Sequence, residues 1–264
     1  TGPLAGHAIG NLLIAGLYAI GGFAILSIAK AICTGATFGL LAHLGRPDAR
    51  TWWHAICAAL ALLACRHQFS PQPYLVTLLG VVAVLGWIFW PRLTSRPAPG
   101  LVPLFILLAV WSNLDVRMWF GPLFLLVAWL SALVDGPVVS SDEPNRRTAA
   151  ELLRGVIGGC LVAAIHPFGW RVWLAPIHLY TRDYPAFREY LAGGIPSGTT
   201  LAYFPITEPG YWREFDLSSI AVAVLFVAAL TTLFLNRRRL LVLDALLLVI
   251  ALALGCLALR EMAI

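Results

Sequence analysis

Apolar runs long enough to form membrane helices recur along almost the whole chain, and this feature restricts the fold more than any other. Of the 264 residues, 60% are hydrophobic and 12% are charged, whereas soluble domains have about 45–50% and about 25%. The mean hydropathy is +0.83. A separate soluble domain of ordinary size has no room in such a chain. The sequence therefore predicts an all-α polytopic membrane protein, formed as a single transmembrane domain over residues 1–264.

Eight candidate spans can be located, because a helix needs about 20 apolar residues to cross the hydrocarbon layer. Three of them are shorter than the bilayer, so six or seven spans is the alternative count. The segment from Leu4 to Ala19 is apolar but interrupted by glycine, histidine and asparagine, which is typical of an interfacial helix that leads into the first span. The eight candidate spans are residues 22–44, 52–65, 73–91, 101–112, 119–134, 152–165, 217–235 and 240–259.

The arginines predict the orientation of these spans. The run 237–239 is the strongest inside signal, because basic residues concentrate in short cytoplasmic loops. Alternating spans then place the turns at 45–51, 92–100 and 135–151 on the cytoplasmic side as well, and both ends of the chain on the outer side. The net charge of +5 therefore indicates orientation, and a nucleic-acid partner is not expected.

The longest stretch without a span, residues 166–216, is predicted to lie on the outer face. It carries many tryptophans and tyrosines, and aromatic residues with a polar tip favour the headgroup interface. We interpret it as an interfacial segment in which residues 170–180 form a short helix on the membrane surface, followed by extended chain rich in proline and glycine.

Polar residues of the predicted outer side are the candidate site. An arginine near the membrane is unfavourable unless it pairs with an acid or binds an anion, so the cluster is interpreted as a phosphate site. The alternative is snorkelling at the interface and ion pairs such as Asp115 with Arg66. The candidate substrate-binding or phosphate-binding residues are Arg66, Asn113, Arg117, His166, Arg171 and Arg260, and the candidate catalytic residue is Asp115.

Asp115 lies in the segment 111–123, which places Asn, Asp and Arg between two apolar spans. A carboxylate at this position is a candidate general base or metal ligand. Equally, it is a candidate cap for the helix that opens near Met118, or a partner that neutralises an arginine. No second carboxylate lies within motif spacing, so no metal site is assigned, although a divalent metal stays an alternative.

No cofactor is identified from the sequence. The five cysteines lack the CxxC spacing of zinc sites and redox motifs. Haem ligation between facing helices is disfavoured, because no span carries two histidines at helical spacing. The chain begins at Thr1 and ends in mid-pattern at Ile264, so we expect it to be a fragment of a longer protein.

The order of these features resembles the GT-C class of integral-membrane glycosyltransferases and large bacterial polytopic proteins related to them. The resemblance extends from about Leu12 to Arg260 and rests on loosely specific motifs. The segment 111–115 matches the family's Trp-x-Asn-x-(His or Asp) pattern, and 166–169 is similar to its Asn-Pro-x-Gly turn. Three other segments are similar to features of the family. Residues 12–30 are similar to its interfacial helix and following span, residues 66–79 to its Arg-x-x-x-x-Pro span start, and Leu259-Arg260 to an arginine before its next span.

The resemblance implies transfer of a sugar from a polyprenyl-phosphate carrier at the outer face of the bacterial inner membrane. Membrane lipid and a polyprenyl-phosphate sugar are then the expected partners. The family's catalytic acidic residue precedes its interfacial helix, whereas nothing acidic precedes Asp48 in this chain. The alternative function is a non-catalytic membrane subunit that anchors or scaffolds a larger complex with other membrane subunits. A transporter is a weaker alternative, because no inverted repeat is visible.

Overall fold

The computed structural model describes residues 8–44, 51–64, 74–93, 99–135, 148–166, 169–174, 217–235, 246, 247 and 249. Every regular element in this part of the chain is a helix. The α-helices are α1 (Ala8–His43), α2 (Thr51–Ala64), α3 (Tyr74–Leu93), α4 (Leu101–Leu114), α5 (Phe120–Asp135), α6 (Ala149–Ala163) and α7 (Leu217–Leu235), and two 3₁₀ helices are η1 (Val116–Trp119) and η2 (Gly169–Leu174).

The all-α prediction is confirmed for these residues, and seven of the eight apolar segments coincide with α-helices. Their ends lie within three residues of the predicted ends once α1 is divided at its kink. The kink is at Gly21 and Gly22. Gly22 has φ of +58°, a backbone conformation that residues other than glycine rarely adopt. It falls between the predicted interfacial helix and the first predicted span. The eighth predicted span, 240–259, lies mostly outside the described residues.

Two helices among the described residues are long and apolar enough to cross a membrane. They are Ile9–His43, with a mean hydropathy of 2.2, and Arg117–Val134, with a mean hydropathy of 1.6. Four more helices are apolar but shorter, at 10–17 residues. The structure therefore contains helices that fit a membrane, while the count of about eight spans stays a prediction.

The core lies among α3, α4, α5 and α6, whose buried side chains form one cluster. Thr77, near the start of α3, contacts the end of α4 at Trp111, whereas the Trp87 indole, further along α3, donates to the Gly100 carbonyl before α4 begins. These two helices are therefore antiparallel. Consecutive helices in this bundle alternate in direction, so the start of α3, the end of α4, η1 and the start of α5 share one end, which we call the polar end.

Small residues let α6 approach its neighbours closely. Gly155, Gly159 and Ala163 are buried at four-residue spacing on one face, as in the small-xxx-small pattern of packed membrane helices. A Cβ atom built on Gly159 would lie 2.8 Å from Leu108 Cδ1 of α4. A Cβ on Gly155 would meet Leu104, also of α4, at 3.5 Å. Because Gly155 pairs with Leu104 and Gly159 with Leu108, α6 runs parallel to α4.

The remaining helices pack around this bundle. Helix α1 contacts α3 and α4 on one side and α2 on another, and α7 packs against α2. Much of α1 is exposed: only 6% of the residues in its most apolar stretch are buried, and Leu12, Ile20 and Phe23 are each at least 70% exposed. Leu246 and Leu247 pack against the core cluster. The bundle that carries the polar end is thus formed by α3 to α6, and α1 packs against its helices α3 and α4.

Candidate functional site

The candidate site at the polar end is built on a sharp change of backbone direction after α4. The helix stops at Leu114, and Asp115 takes an extended conformation while its N–H still donates to the Trp111 carbonyl. Its side chain then accepts a 3.1 Å hydrogen bond from the Arg117 backbone N–H and so caps η1. This is the capping role that the sequence offered as the alternative to catalysis, because aspartate satisfies the free N–H groups at a helix start.

Asp115 is also tied to α3. The Thr77 hydroxyl donates to Asp115 Oδ2 at 2.7 Å, and the Trp111 indole N–H donates to the same hydroxyl oxygen at 2.9 Å. All three side chains are buried, Thr77 and Asp115 completely. A buried polar group is unfavourable unless it is hydrogen-bonded, and this chain of bonds satisfies the carboxylate, the hydroxyl and the indole together. We call Thr77, Trp111, Asp115 and Arg117 the buried polar cluster.

Arg117 supplies the positive charge of the buried polar cluster. Its Nη1 lies 3.6 Å from Asp115 Oδ2, and the two side chains are 3% and 0% exposed. Burying an isolated guanidinium or carboxylate is strongly unfavourable, but a pair with additional hydrogen bonds is tolerated. An ion pair of Asp115 with Arg66 was the alternative expected from the sequence, whereas among the described residues the arginine that pairs with Asp115 is Arg117. Arg66 lies outside the described residues.

Asn113 is half-buried and its amide is used locally. The Nδ2 group donates to the Ala109 carbonyl at 2.8 Å and approaches Ser112 Oγ at 3.4 Å. The Ser112 hydroxyl donates to the same carbonyl at 2.9 Å. Side chains that bond to the carbonyl four residues earlier are common where a helix ends or bends. Asn113 therefore sits at the polar end, next to the buried polar cluster but with its donor directed to its own helix.

His166 follows α6 and is brought to the same end of the bundle. Gly159 of α6 lies against Leu108 of α4, and the two helices run parallel. His166 follows Gly159 by seven residues and Asp115 follows Leu108 by seven, which puts His166 level with Asp115. His166 is buried, and burial lowers the pKa of its imidazole, because desolvation disfavours the charged form. Its carbonyl accepts a 2.7 Å hydrogen bond from the Gly169 N–H, and Gly169 has φ of +55°.

This hydrogen bond joins His166 to Gly169, the first residue of η2. Glycine readily adopts the positive φ that Gly169 has. The resemblance of residues 166–169 to the family's Asn-Pro-x-Gly turn stays an expectation. Within η2, Trp170 is 64% exposed, while Trp173 packs against the core cluster. Arg171 belongs to η2 by its backbone, but its side chain lies outside what the structure describes, as does Arg260. Tyr180 and the rest of the predicted interfacial segment lie outside it as well.

The structure therefore groups four of the seven candidate residues at one end of the bundle: Asn113, Asp115, Arg117 and His166. Both oxygens of Asp115 already have donors, so the carboxylate has a structural task in this arrangement. Among the described residues, no group of three histidine, cysteine, aspartate or glutamate side chains could hold a metal ion. Chemically, the polar end carries a buried imidazole whose pKa is lowered by burial and, on other elements, a paired carboxylate and guanidinium.

Two features of this end were not anticipated from the sequence. Thr77 looked like an isolated polar residue in an apolar span, and its partnership with Asp115 depends on how α3 and α4 pack. The glycine pattern of α6 was detectable, because Gly155 and Gly159 form a GxxxG motif within an apolar segment. That motif would have predicted the close helix contact which carries His166 to the level of Asp115.

Comparison with known proteins adds no relative. No family model matches the chain, and neither the curated proteins nor the solved structures include a match. The GT-C resemblance therefore stays an expectation that rests on the motifs quoted above.

Proposed function

We propose that this chain is a multi-pass protein of the bacterial inner membrane. The observation that supports the proposal is the first helix, which is long, almost entirely apolar, and largely unburied by the rest of the chain. Exposing so many Leu, Ile and Phe side chains to water is unfavourable by roughly 25 cal/mol per Å². A lipid environment removes that penalty and requires helices for its spanning segments.

Within this class, the geometry favours a scaffold role for the polar end of the bundle. Asp115, the acidic candidate, is completely buried, and its two oxygens accept from Thr77 and from Arg117. A general base must reach the proton that it removes. The Asp115 carboxylate instead has both oxygens hydrogen-bonded inside the bundle, where it holds helix ends together. We therefore favour a membrane subunit that anchors or scaffolds a larger complex over an enzyme with Asp115 as its catalytic group.

The Asp115→Asn variant tests this assignment. Asparagine keeps the size of the side chain but loses the charge that pairs with Arg117. If Asp115 is structural, thermal stability falls, and polyprenyl-phosphate affinity per folded molecule stays at the wild-type value. A variant that keeps the wild-type thermal midpoint and yet loses lipid-phosphate binding or sugar transfer would contradict the scaffold assignment.

Lipid-linked sugar transfer is the second candidate, and one observation favours it. Asn113, Arg117 and His166 come from different elements and gather at the end of the bundle where η2 exposes Trp170. An aromatic residue of this kind marks a membrane interface, where the phosphate of a lipid carrier would lie. In this proposal the arginines of the predicted outer side bind the carrier phosphate, and the acceptor approaches from the outer face.

Arg→Lys variants test the second candidate, because a guanidinium makes two parallel bonds to phosphate where an ammonium makes a point contact. We expect Arg66→Lys and Arg260→Lys to weaken polyprenyl-phosphate binding by about tenfold or more, since hydrogen bonds to charged groups contribute about 1.5–3 kcal/mol. Arg154→Lys is the matched control, because Arg154 lies near the start of α6, at the opposite end of the bundle. Unchanged affinity in both test variants would leave the subunit role in place.

The orientation is a separate part of the proposal. We propose that the turn at 236–239 is cytoplasmic and that residues 1 and 264 lie on the outer side. A cysteine introduced as Arg237→Cys, on a background without the native cysteines, should be protected from an impermeant reagent added outside intact cells. Labelling of that position from outside would overturn the orientation without affecting the membrane assignment.

A further inference from the structure

Two adjacent tryptophans form an exposed aromatic surface in the first turn of α2. The rings of Trp52 and Trp53 are stacked, with centroids 4.2 Å apart and an interplanar angle of 24°. The two residues are 47% and 52% exposed, although α2 packs against α1 and α7. We call them the tryptophan pair. An indole combines a large apolar ring with one N–H donor, so it favours a boundary between apolar and polar surroundings.

Polarity changes along α2 in the direction expected for a helix that enters a membrane at its start. In the sequence, Arg46 and Arg50 come directly before the helix, and the tryptophan pair follows them. The exposed side chains further along are apolar apart from the Cys57 thiol, and they include Ile56 and Leu62. Arginine complements the phosphates of lipid headgroups, tryptophan fits the headgroup and glycerol level, and aliphatic side chains fit the hydrocarbon below it.

We propose that the tryptophan pair is a lipid-binding surface that inserts into the headgroup and glycerol layer of the bilayer and fixes the depth at which α2 begins. This inference rests on the proposed membrane location of the chain. The stacked rings act as one flat body at that level, with their N–H groups available to lipid phosphate and carbonyl oxygens. Arg46 and Arg50 come immediately before the pair in the sequence. Their positive charge favours the anionic phosphates of the lipid headgroups.

The proposal has a consequence for the rest of α2. The helix has 14 residues, which corresponds to about 21 Å at about 1.5 Å per residue. The hydrocarbon layer is about 30 Å thick. With its start fixed in the headgroup and glycerol layer, an upright α2 ends at least about 9 Å before the opposite boundary of the hydrocarbon. Leu62 then lies about 13 Å deeper than Trp53.

Depth measurement with spin labels tests the proposal on the full chain in lipid bilayers. Single cysteines are introduced as Trp52→Cys, Trp53→Cys and Leu62→Cys after the five native cysteines are replaced by alanine. Collision rates of each label with oxygen, which enters lipid, and with a water-soluble nickel chelate give its depth. Ile32→Cys on exposed α1 is the matched control for a label in hydrocarbon.

We expect labels at 52 and 53 to meet both reagents, as at the headgroup level, and the label at 62 to meet oxygen alone. Labels at 52 and 53 that meet only the chelate, or neither reagent because a protein partner covers them, would overturn the proposal if Ile32→Cys still reports hydrocarbon. A label at 32 that meets only the chelate would overturn the membrane location itself.

A second measurement keeps the tryptophans in place. Brominated lipids quench indole fluorescence at the depth of the bromine, and the double variant Trp52→Phe/Trp53→Phe isolates the contribution of the pair by difference. We expect bromine near the headgroup end of the acyl chain to quench this difference signal at least twofold more than bromine near the chain end. Equal quenching, or stronger quenching from the deep bromine, would contradict an interfacial location.

Discussion

Thr77 and Asp115 are 38 residues apart in the chain, yet the Thr77 hydroxyl donates a 2.7 Å hydrogen bond to Asp115 Oδ2. This bond joins the start of α3 to the turn after α4 in a region where both residues are completely buried. Because water is excluded there, the partners of each polar group decide its contribution to stability. The buried polar cluster therefore fixes how α3 and α4 are aligned.

Thr77→Val should destabilise the protein by about 1–3 kcal/mol. Valine has nearly the same shape as threonine, but it leaves the Trp111 indole without its acceptor and removes one donor from Asp115. Thermal unfolding in detergent or nanodiscs measures the effect. Thr77→Ser is the control, because it keeps the hydroxyl and should recover most of the loss. Equal destabilisation in both variants would point to packing of the threonine methyl group, and not to the hydrogen bonds.

Asp115→Ala should destabilise by about 3–5 kcal/mol, because it leaves the buried guanidinium of Arg117 without its carboxylate. The double variant Asp115→Ala/Arg117→Met removes both charges and replaces the guanidinium with an apolar chain of similar length. Since the cost of the single variant is largely an uncompensated charge, we expect the double variant to be more stable than Asp115→Ala. Additive losses in the thermal midpoint would show that the 3.6 Å pair has little coupling.

The sequence predicted much of the fold because its signal is local. The seven predicted apolar segments that the structure describes are helices with ends within three residues of the predicted ends, and the boundary predicted between the interfacial helix and the first span coincides with the kink at Gly21 and Gly22. Partnerships between helices could not be predicted in the same way. Thr77 is one hydroxyl in an apolar span, and only the antiparallel packing of α3 on α4 gives it Asp115 as an acceptor.

The same reasoning explains the outcome at the candidate site. Asn113, Asp115 and Arg117 lie at one end of the bundle because they are neighbours in the chain. His166 was placed at their end through the alternation of spans, which the parallel packing of α6 on α4 supports. The sequence could not distinguish a free carboxylate from a paired one, because that depends on side-chain geometry after Leu114. Arg66 and Arg260 stay predictions.

Gly159→Leu should separate α6 from α4 and destabilise the bundle. A single Cβ at this position already lies 2.8 Å from Leu108 Cδ1, and overpacking of a core costs about 1–3 kcal/mol or more. Gly35→Leu is the matched control, because a Cβ at Gly35 of α1 meets nothing within 4 Å. We expect a lower thermal midpoint for the first variant and little change for the second. A similar loss in both would indicate a general effect of leucine at helical glycines.

His166 should make stability depend on pH. Burial lowers the pKa of His166 in the folded protein, so below the ordinary value of about 6.5 the unfolded chain binds this proton more readily than the folded chain. The contribution of the neutral imidazole is therefore complete above about pH 6.5 and is lost as the pH falls through the lower pKa of the folded state.

The thermal midpoints of wild type and His166→Gln, measured between about pH 7.5 and about pH 5, test this prediction. Glutamine is polar and does not titrate, so the other ionisable groups contribute equally to both proteins and cancel in the difference. We expect the wild-type midpoint to fall relative to the variant as the solution is acidified, with little change in the difference above about pH 7. Parallel curves over the whole range would mean that His166 has the same proton affinity in the folded and unfolded chains, which would place it in contact with water.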